Sequence, residues 1–251
     1  MPALAGVVLA AGRGRRLRPL SDLRPKPLCP VDNVPLLDRV LDAVADLTPY
    51  VAVNAHHLAD QVVAHVGDRA HVSVEQPEAL GTAGALGQLR EWIAGRPVLV
   101  CNGDAWRPAG LAGLVEGWDG ERIRLLVVRD EQRGDFGPWR YAGGGLHPWS
   151  VVRGLRPVPT GLYEELWGAE HAAGRLDLVE HTGAFVDCGT PADYLAANLA
   201  ASGGASVVGA GAVVEGELVR SVVWPGGVVR AGERLVDAIR VGTSLTVHVG
   251  G

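Results

Sequence analysis

The chain has 251 residues, 47% hydrophobic and 20% charged, with a formal net charge of −5; this supplies one sizeable core and excludes an intrinsically disordered chain. Its 35 glycines and 16 prolines fall short of the about 25–30% that marks low complexity, and three cysteines at wide spacing build neither a disulfide framework nor a zinc site. The acidic balance argues against nucleic acid and polybasic membrane anchoring, no apolar run reaches the ~18 residues of a membrane span, and no signal-peptide pattern opens the chain, so a cytoplasmic protein is expected.

Residues 4–10 read as a buried strand, and Leu37, Val40, Leu41 and Val44 follow at helical spacing. A strand at 50–54 precedes a helix at 59–66. Residues 71–75 alternate as a strand, 83–93 form a helix with Leu86, Leu89 and Ile93 on one face, and 97–101 form a strand again. Three such alternations within the first hundred residues predict an α/β fold with a doubly wound, mostly parallel sheet. Ligands of such sheets lie beyond the carboxyl ends of the strands, which directs attention to the loops after Ala10, Asn54, Glu75 and Cys101.

The middle of the chain is less regular. A strand at 123–128 leads into a polar, glycine-rich stretch up to Leu146, then a helix from Leu162, a strand near 184–187 and a helix at 191–201 with Thr190 as N-cap. From Gly203 the texture changes: 11 of the last 49 residues are glycine, and Val207-Val208, Val213-Val214, Val222-Val223 and Val228-Val229 recur at a spacing near six. This predicts a short hexapeptide-type β-helix at 203–251 behind a catalytic domain at 1–202. A structural or oligomerising role suits it better than acyl transfer, since only His248 offers a base.

Of the 23 basic residues, 22 are arginine and one is lysine, Lys26. Arg13, Arg15, Arg16, Arg18, Arg24 and Lys26 crowd into 14 residues directly after the first strand, around a Gly12-Arg13-Gly14 turn. Small residues let backbone N–H groups approach a phosphate, and the cations behind them supply charge. The segment is neither a Walker loop nor a complete dinucleotide-binding fingerprint. Asp104 and Asp187 close later strands, so both carboxylates can converge on the same sheet edge. His56 and His57 diverge as neighbours and do not suggest a metal; Trp106, Trp139 and Trp149 are candidates for the wall of a ligand pocket.

The run LAAGRGRRLRPLSDLRPKPLCPV at residues 9–31 resembles the signature of the sugar nucleotidyltransferases, LAAGxGxRLxPLTxxxPKPLxPV. Val53-Asn54 with His56-His57-Leu58, the segment 75–86, Asn102-Gly103-Asp104 and the segment 186–191 match further blocks in the family's order. The resemblance implies a Rossmann-like nucleotidyltransferase that joins an NTP and a sugar 1-phosphate to give an NDP-sugar and pyrophosphate. It implies Arg16 and Lys26 as catalytic cations, Ala10, Ala11, Gly12, Gly14, Arg15, Gln76, Gly81 and Thr82 as nucleotide contacts, and Asp104 and Asp187 as ligands of Mg²⁺. Asn54 and Gly143 are its candidates for the sugar phosphate.

Two features point to different substrates. The tail resembles the short left-handed β-helix of mannose-1-phosphate guanylyltransferases, which makes that activity the first expectation and homo-oligomerisation through the tail its companion. The Glu-Lys-Pro segment that holds the sugar in many relatives is absent, and Arg133-Gly134-Asp135-Phe136 and 140–144 stand there instead; Gly134-Asp135-Phe136 together with Asn102-Gly103-Asp104-Ala105-Trp106 resembles the N-acetylmuramic acid 1-phosphate uridylyltransferases. A non-catalytic nucleotide-sugar-binding regulator is a further alternative, disfavoured by the presence together of Arg16, Lys26, Asp104 and Asp187. An NAD-dependent oxidoreductase calls for an acidic residue after the second strand, where Asn54-Ala55-His56-His57 stands.

Overall fold

The structure, a computed structural model, describes residues 3–249. Nine strands and four helices position the site: β1 (Ala5–Leu9), β2 (Val51–Ala55), β3 (His71–Val74), β4 (Val98–Asn102), β5 (Ala105–Trp106), β6 (Ile123–Arg129), β7 (Trp139–His147), β8 (Leu176–Glu180) and β9 (Val186–Asp187), with α1 (Leu36–Ala45), α2 (Ala59–Val66), α3 (Gly81–Gln88) and α4 (Pro191–Ala201). Seven strands form one sheet in the order β8-β6-β7-β4-β1-β2-β3. All neighbours run parallel except β7, which is antiparallel to both β4 and β6.

Both faces of this sheet are buried, which is why its central strands read as continuous apolar runs. Val8, Leu99 and Cys101 point into one cluster with Leu37, Val40, Leu41 and Val44 of α1 and Val62 and Val66 of α2. Val7, Val98 and Val100 point the other way, onto Ala83 and Leu86 of α3 with Leu89 and Ile93 beyond it. Each fully buried leucine or valine contributes about 1.5–3 kcal/mol of transfer free energy. All three cysteines are free and buried, and desolvation pushes each thiol up to about 12, so they pack as small apolar groups.

Two departures from the sequence reading concern the irregular middle. The glycine-rich stretch before Leu146 is the nine-residue strand β7; Gly143, Gly144 and Gly145 give it no side-chain period, yet it pairs on both sides, with a register shift in β6 between Leu125 and Val127. The edge strand β8 lies where no strand is expected, because its half-buried Leu-Asp-Leu-Val-Glu sequence carries only a short alternation. The predicted helix from Leu162 opens as a π-turn at Tyr163–Trp167 and continues at Gly168–Ala172. Helix α4 has the expected cap: Thr190 accepts from the Asp193 N–H at 3.2 Å, and Asp193 accepts from the Thr190 N–H at 3.1 Å, a reciprocal capping box.

The tail stacks in parallel ladders. Val207 lies opposite Val222 and Val222 opposite Ile239; Val213 pairs with Val228 and Glu217 with Arg234. The hairpin of Ala238–Val241 with Leu245–His248 closes the end. This three-faced arrangement is consistent with a short β-helix stub. Its apolar edge is continuous with the core beneath the loop after β1: Val207, Val222, Trp224 and Ile239 share one cluster with Leu17, Leu20, Cys29 and Tyr194. The Trp224 indole N–H donates to the Tyr194 hydroxyl at 3.0 Å, that hydroxyl donates to the Pro30 carbonyl, and the Arg24 guanidinium lies 4.7 Å from the centre of the Trp224 ring. The tail therefore braces the loop that carries Lys26. Trp224→Ala is expected to lower the unfolding free energy by about 3–5 kcal/mol in a denaturant titration; a loss below about 1 kcal/mol would show that the tail is only appended.

Candidate active site

The loop after β1 turns because Gly14 adopts a left-handed conformation, φ 58°, at the start of a short 3₁₀ turn over Arg15–Leu17. A Cβ at Gly14 would stand 3.1 Å from the Ser21 Cβ and 3.3 Å from the Lys26 Cβ, so a side chain there is crowded as well as strained. The Ser21 hydroxyl donates to the Gly14 carbonyl at 2.8 Å. Leu17 and Leu20 anchor the loop in the core while Arg13, Arg15 and Arg16 stay exposed. A second 3₁₀ turn, Lys26–Leu28, buries the Lys26 stem and leaves the residue 6% exposed.

Asp104 and Asp187 are brought together by a small antiparallel ladder. β5 pairs with β9 so that Asp187 lies opposite Ala105, the neighbour of Asp104. The Lys26 ammonium bridges the two carboxylates, at 2.8 Å from Asp104 Oδ2 and 3.0 Å from Asp187 Oδ1. Asp187 also accepts from Arg140 Nη2 at 3.0 Å and faces Arg16 at 3.8 Å. Burial alone lowers the Lys26 pKa, but the two carboxylates outweigh it and hold the pKa above the ordinary lysine value. For Asp187, burial acts upward and the three cations prevail, keeping its carboxyl below the usual range.

A cavity of about 240 Å³ opens on one side of this cluster, between Ala11 and Gly12 of the first loop and Gly81 and Thr82 at the start of α3. Its floor is held by a buried network that motif reading missed. The Ala10 N–H donates to Asn54 Oδ1 at 2.7 Å, Asn54 Nδ2 donates to Glu75 Oε1 at 2.7 Å, and the Leu80 N–H donates to Glu75 Oε2 at 2.7 Å. The Asn54–Glu75 pair thus ties β2 to both loops that flank the cavity, the amide holding the first and the carboxyl the second. Gly81 has φ 70°, and a Cβ on it would meet the Thr160 carbonyl oxygen at 2.4 Å. That carbonyl accepts from the Ala83 N–H, while Thr82 Oγ1 accepts from the Leu162 N–H at 2.7 Å. Part of the helix-start donor set is therefore engaged inside the protein.

On the other side lies a wider cleft of about 580 Å³, walled by Asp135, Arg140, Tyr141, Glu164, Trp167 and Asp187. Asn102 borders both cavities and Asp104 borders the first, so the Lys26 cluster stands between them. A third recess, of about 250 Å³, lies over Gly14, Arg15, Arg16, Lys26 and Asp104 and shares Asp104 with the first cavity, as Asn102 is shared by the first and second, so the three adjoin along one groove. Trp167 is fixed from behind, where its indole N–H donates to Nε2 of the fully buried His147 at 2.9 Å. The imidazole accepts at that nitrogen and so must be neutral there; burial lowers its pKa to about 4. The unfolded chain takes up this proton below about pH 6.5. The stabilisation is complete above that value and is lost as pH falls toward 4, about 3 kcal/mol in all. His147→Phe should flatten the acid limb of a stability–pH curve over this window; an unchanged limb would assign the acid loss to other groups.

The groove gathers Ala11, Gly12, Gly14, Arg15, Arg16, Lys26, Gly81, Thr82, Asp104 and Asp187 at one edge of the sheet. Three expected contacts stand differently. Gln76 is exposed beside the cavity wall formed by Ala79 and Gly81. Asn54 borders the first cavity, with both amide atoms engaged, and does not border the second. Gly143 is buried against Asn102 and Ala105, so it supports the wall from behind. His56 and His57 are structural, bonded to the carbonyls of Glu75 and Ser21. Trp106 is core, and Trp149 borders a cavity with Gly95 and Pro97 ahead of β4; the aromatic walls of the cleft come from Tyr141, Tyr163 and Trp167.

The donor set fits a hard divalent cation. Two carboxylates already converge on one cation, the Lys26 ammonium, and no group of three or more His, Cys, Asp or Glu side chains forms among the described residues. Mg²⁺ takes one or two carboxylates and completes its shell with phosphate oxygens and water.

Residues 5–137 match the nucleotidyl transferase family. The chain is 38% identical over 218 residues to an N-acetylmuramate alpha-1-phosphate uridylyltransferase of Neisseria meningitidis serogroup B, covering 74% of this chain and 94% of that one. It is 30% identical over 228 residues to the protein of the same description from Caulobacter vibrioides, covering 76% and 94%. Among solved structures, a Thermus thermophilus protein described as a mannose-1-phosphate geranyltransferase superposes with a TM-score of 0.69 at 20% identity, covering 97% of this chain and 94% of that one.

Proposed function

Because the chain belongs to the nucleotidyl transferase family and acts as a sugar-1-phosphate nucleotidyltransferase, we propose that the groove binds an NTP in the first cavity and a sugar 1-phosphate in the second, with transfer at the Lys26 cluster between them. The observation that carries this reading is the Lys26 ammonium on both Asp104 and Asp187, at the junction of the two cavities. A phosphate oxygen of the sugar attacks the α-phosphorus; the new P–O bond forms as the bond to the departing pyrophosphate breaks. The protein's part is to position two polyanions and neutralise them. Ala11, Gly12 and the Gly81-Thr82 turn shape the base pocket, Arg15 and Arg16 face the triphosphate, and Lys26 stabilises the transferring phosphoryl group.

Asp104 and Asp187 are the carboxylates that would hold Mg²⁺. When bound, the ion supplies charge neutralisation at the α-phosphate and orients the phosphate oxygens. Residues 1–202 are proposed as the catalytic domain and 203–251 as its β-helical appendage, a boundary across which one apolar cluster runs.

For the substrates, we take UTP and N-acetylmuramic acid 1-phosphate as the first reading. The Gly134-Asp135-Phe136 segment that resembles those uridylyltransferases supplies Gly134 and Asp135 to the second cleft, and the two relatives of that description match along most of their length. GTP with mannose 1-phosphate is the second reading. It rests on the tail, which packs on the Lys26 loop; among the described residues, none of the tail lines either cavity. Pyrophosphate release across four NTPs and a panel of sugar 1-phosphates tests both. UTP with N-acetylmuramic acid 1-phosphate as the fastest pair supports the first reading, GTP with mannose 1-phosphate replaces it with the second, and silence throughout overturns catalysis.

A further inference from the structure

The second cleft presents an electrostatic problem to the substrate it is proposed to take. Its walls carry three carboxylates, Asp135, Glu164 and Asp187, and among the described residues that line it Arg140 is the one cation. A sugar 1-phosphate brings a dianion into this surrounding. We propose that Arg140 binds the phosphate of the incoming sugar 1-phosphate, in place of the absent Glu-Lys-Pro segment; this inference rests on the function proposed above.

Four observations carry the assignment. Arg140 stands on β7, where its backbone pairs with Val128 of β6, and the same strand is held by β4 further along, at residues 144–147. Its guanidinium is anchored but not exhausted: Nη2 donates to Asp187 Oδ2 at 3.0 Å, Nη1 is 3.8 Å from Asp130, and the side chain is 21% exposed. A guanidinium has five N–H donors in a planar fork suited to phosphate, and the bond to Asp187 uses one of them. Last, Arg140 and Lys26 hold the two oxygens of the same carboxylate, each at 3.0 Å. A phosphate on Arg140 is thereby set beside a phosphoryl group on Lys26, the proximity that in-line transfer requires. Asp187 then orients both cations, one toward each substrate.

The test compares the wild type with Arg140→Met and Arg140→Lys, using the nucleotide and sugar pair that the wild type turns over fastest. Hydrogen bonds to charged groups carry about 1.5–3 kcal/mol, so the KM for the sugar 1-phosphate should rise at least about tenfold in Arg140→Met. The KM for the NTP and the magnesium concentration at half-maximal rate should stay within about twofold. Arg140→Lys keeps the charge and loses the fork, so its sugar KM should fall between the two while its melting temperature matches the wild type. An unmoved sugar KM in either variant overturns the assignment. So does a nucleotide KM or magnesium requirement that shifts as much as the sugar KM, which would mean that Arg140 acts only through Asp187. Silence of the wild type with every pair is a different result, because it removes the proposed function together with this inference.

Discussion

Lys26→Met lowers turnover by about 10²–10³-fold, and Lys26→Arg by at least about tenfold, in a pyrophosphate-release assay. Methionine fills the buried stem but removes the charge that meets Asp104 and Asp187. Arginine keeps the charge, yet the Lys26 side chain is 7% exposed and its nitrogen fits between carboxylates at 2.8 and 3.0 Å, where a planar fork cannot enter without pushing them apart. The fold should survive both changes. The two carboxylates keep side-chain exposures of 31% and 27%, so water reaches them, and Asp187 retains Arg16 and Arg140. Circular dichroism and a melting curve establish that point before the kinetics are read. Turnover within threefold of wild type in Lys26→Met would remove Lys26 from the chemistry.

Asp187→Asn and Asp104→Asn each lower turnover at least about a hundredfold at ordinary magnesium, since the proposed cation loses a charged ligand that supplies several kcal/mol of transition-state stabilisation. Asp187 should be the more sensitive position. It faces Lys26, Arg140 and Arg16, whereas among the described residues Asp104 pairs with Lys26 alone. Asparagine keeps one oxygen in place, so raising the magnesium concentration should recover part of the rate in each variant. A magnesium titration that superposes on that of the wild type would show that the substituted carboxylate holds no metal.

The chemistry was legible wherever its residues are contiguous. Residues 9–31 carry the turn, the arginines and Lys26 in one run, and the segments around Asp104 and Asp187 each declare a carboxylate at a strand end. The sheet was legible where it is buried on both faces, in β1, β2 and β4, because burial writes an apolar run into the chain. Strand β7 was not, since three glycines give no side-chain period and its pairing depends on β4 and β6. Nor was the link from Asn54 to Glu75, which exists because β2 and β3 pair in a register that sets Asn54 beside Ser73, two residues before Glu75. Trp167 and Tyr141 form the cleft wall, with His147 behind Trp167, through the meeting of a π-turn with β7, and no spacing rule anticipates it.

By itself, the sequence determined the alternation of elements and the family of reaction, because both are recorded in local period and in unbroken motifs. Only the tertiary structure decided which charges meet. Lys26 and Asp187 are 161 positions apart, and their contact follows from strand order and the β5–β9 pairing. The same holds for Arg140 on the second oxygen of Asp187, and for the tail, whose Trp224 reaches the Lys26 loop through a shared apolar cluster. Local preferences fix each segment's shape, whereas the joint burial of many segments selects the neighbours, and a charge takes its function from those neighbours.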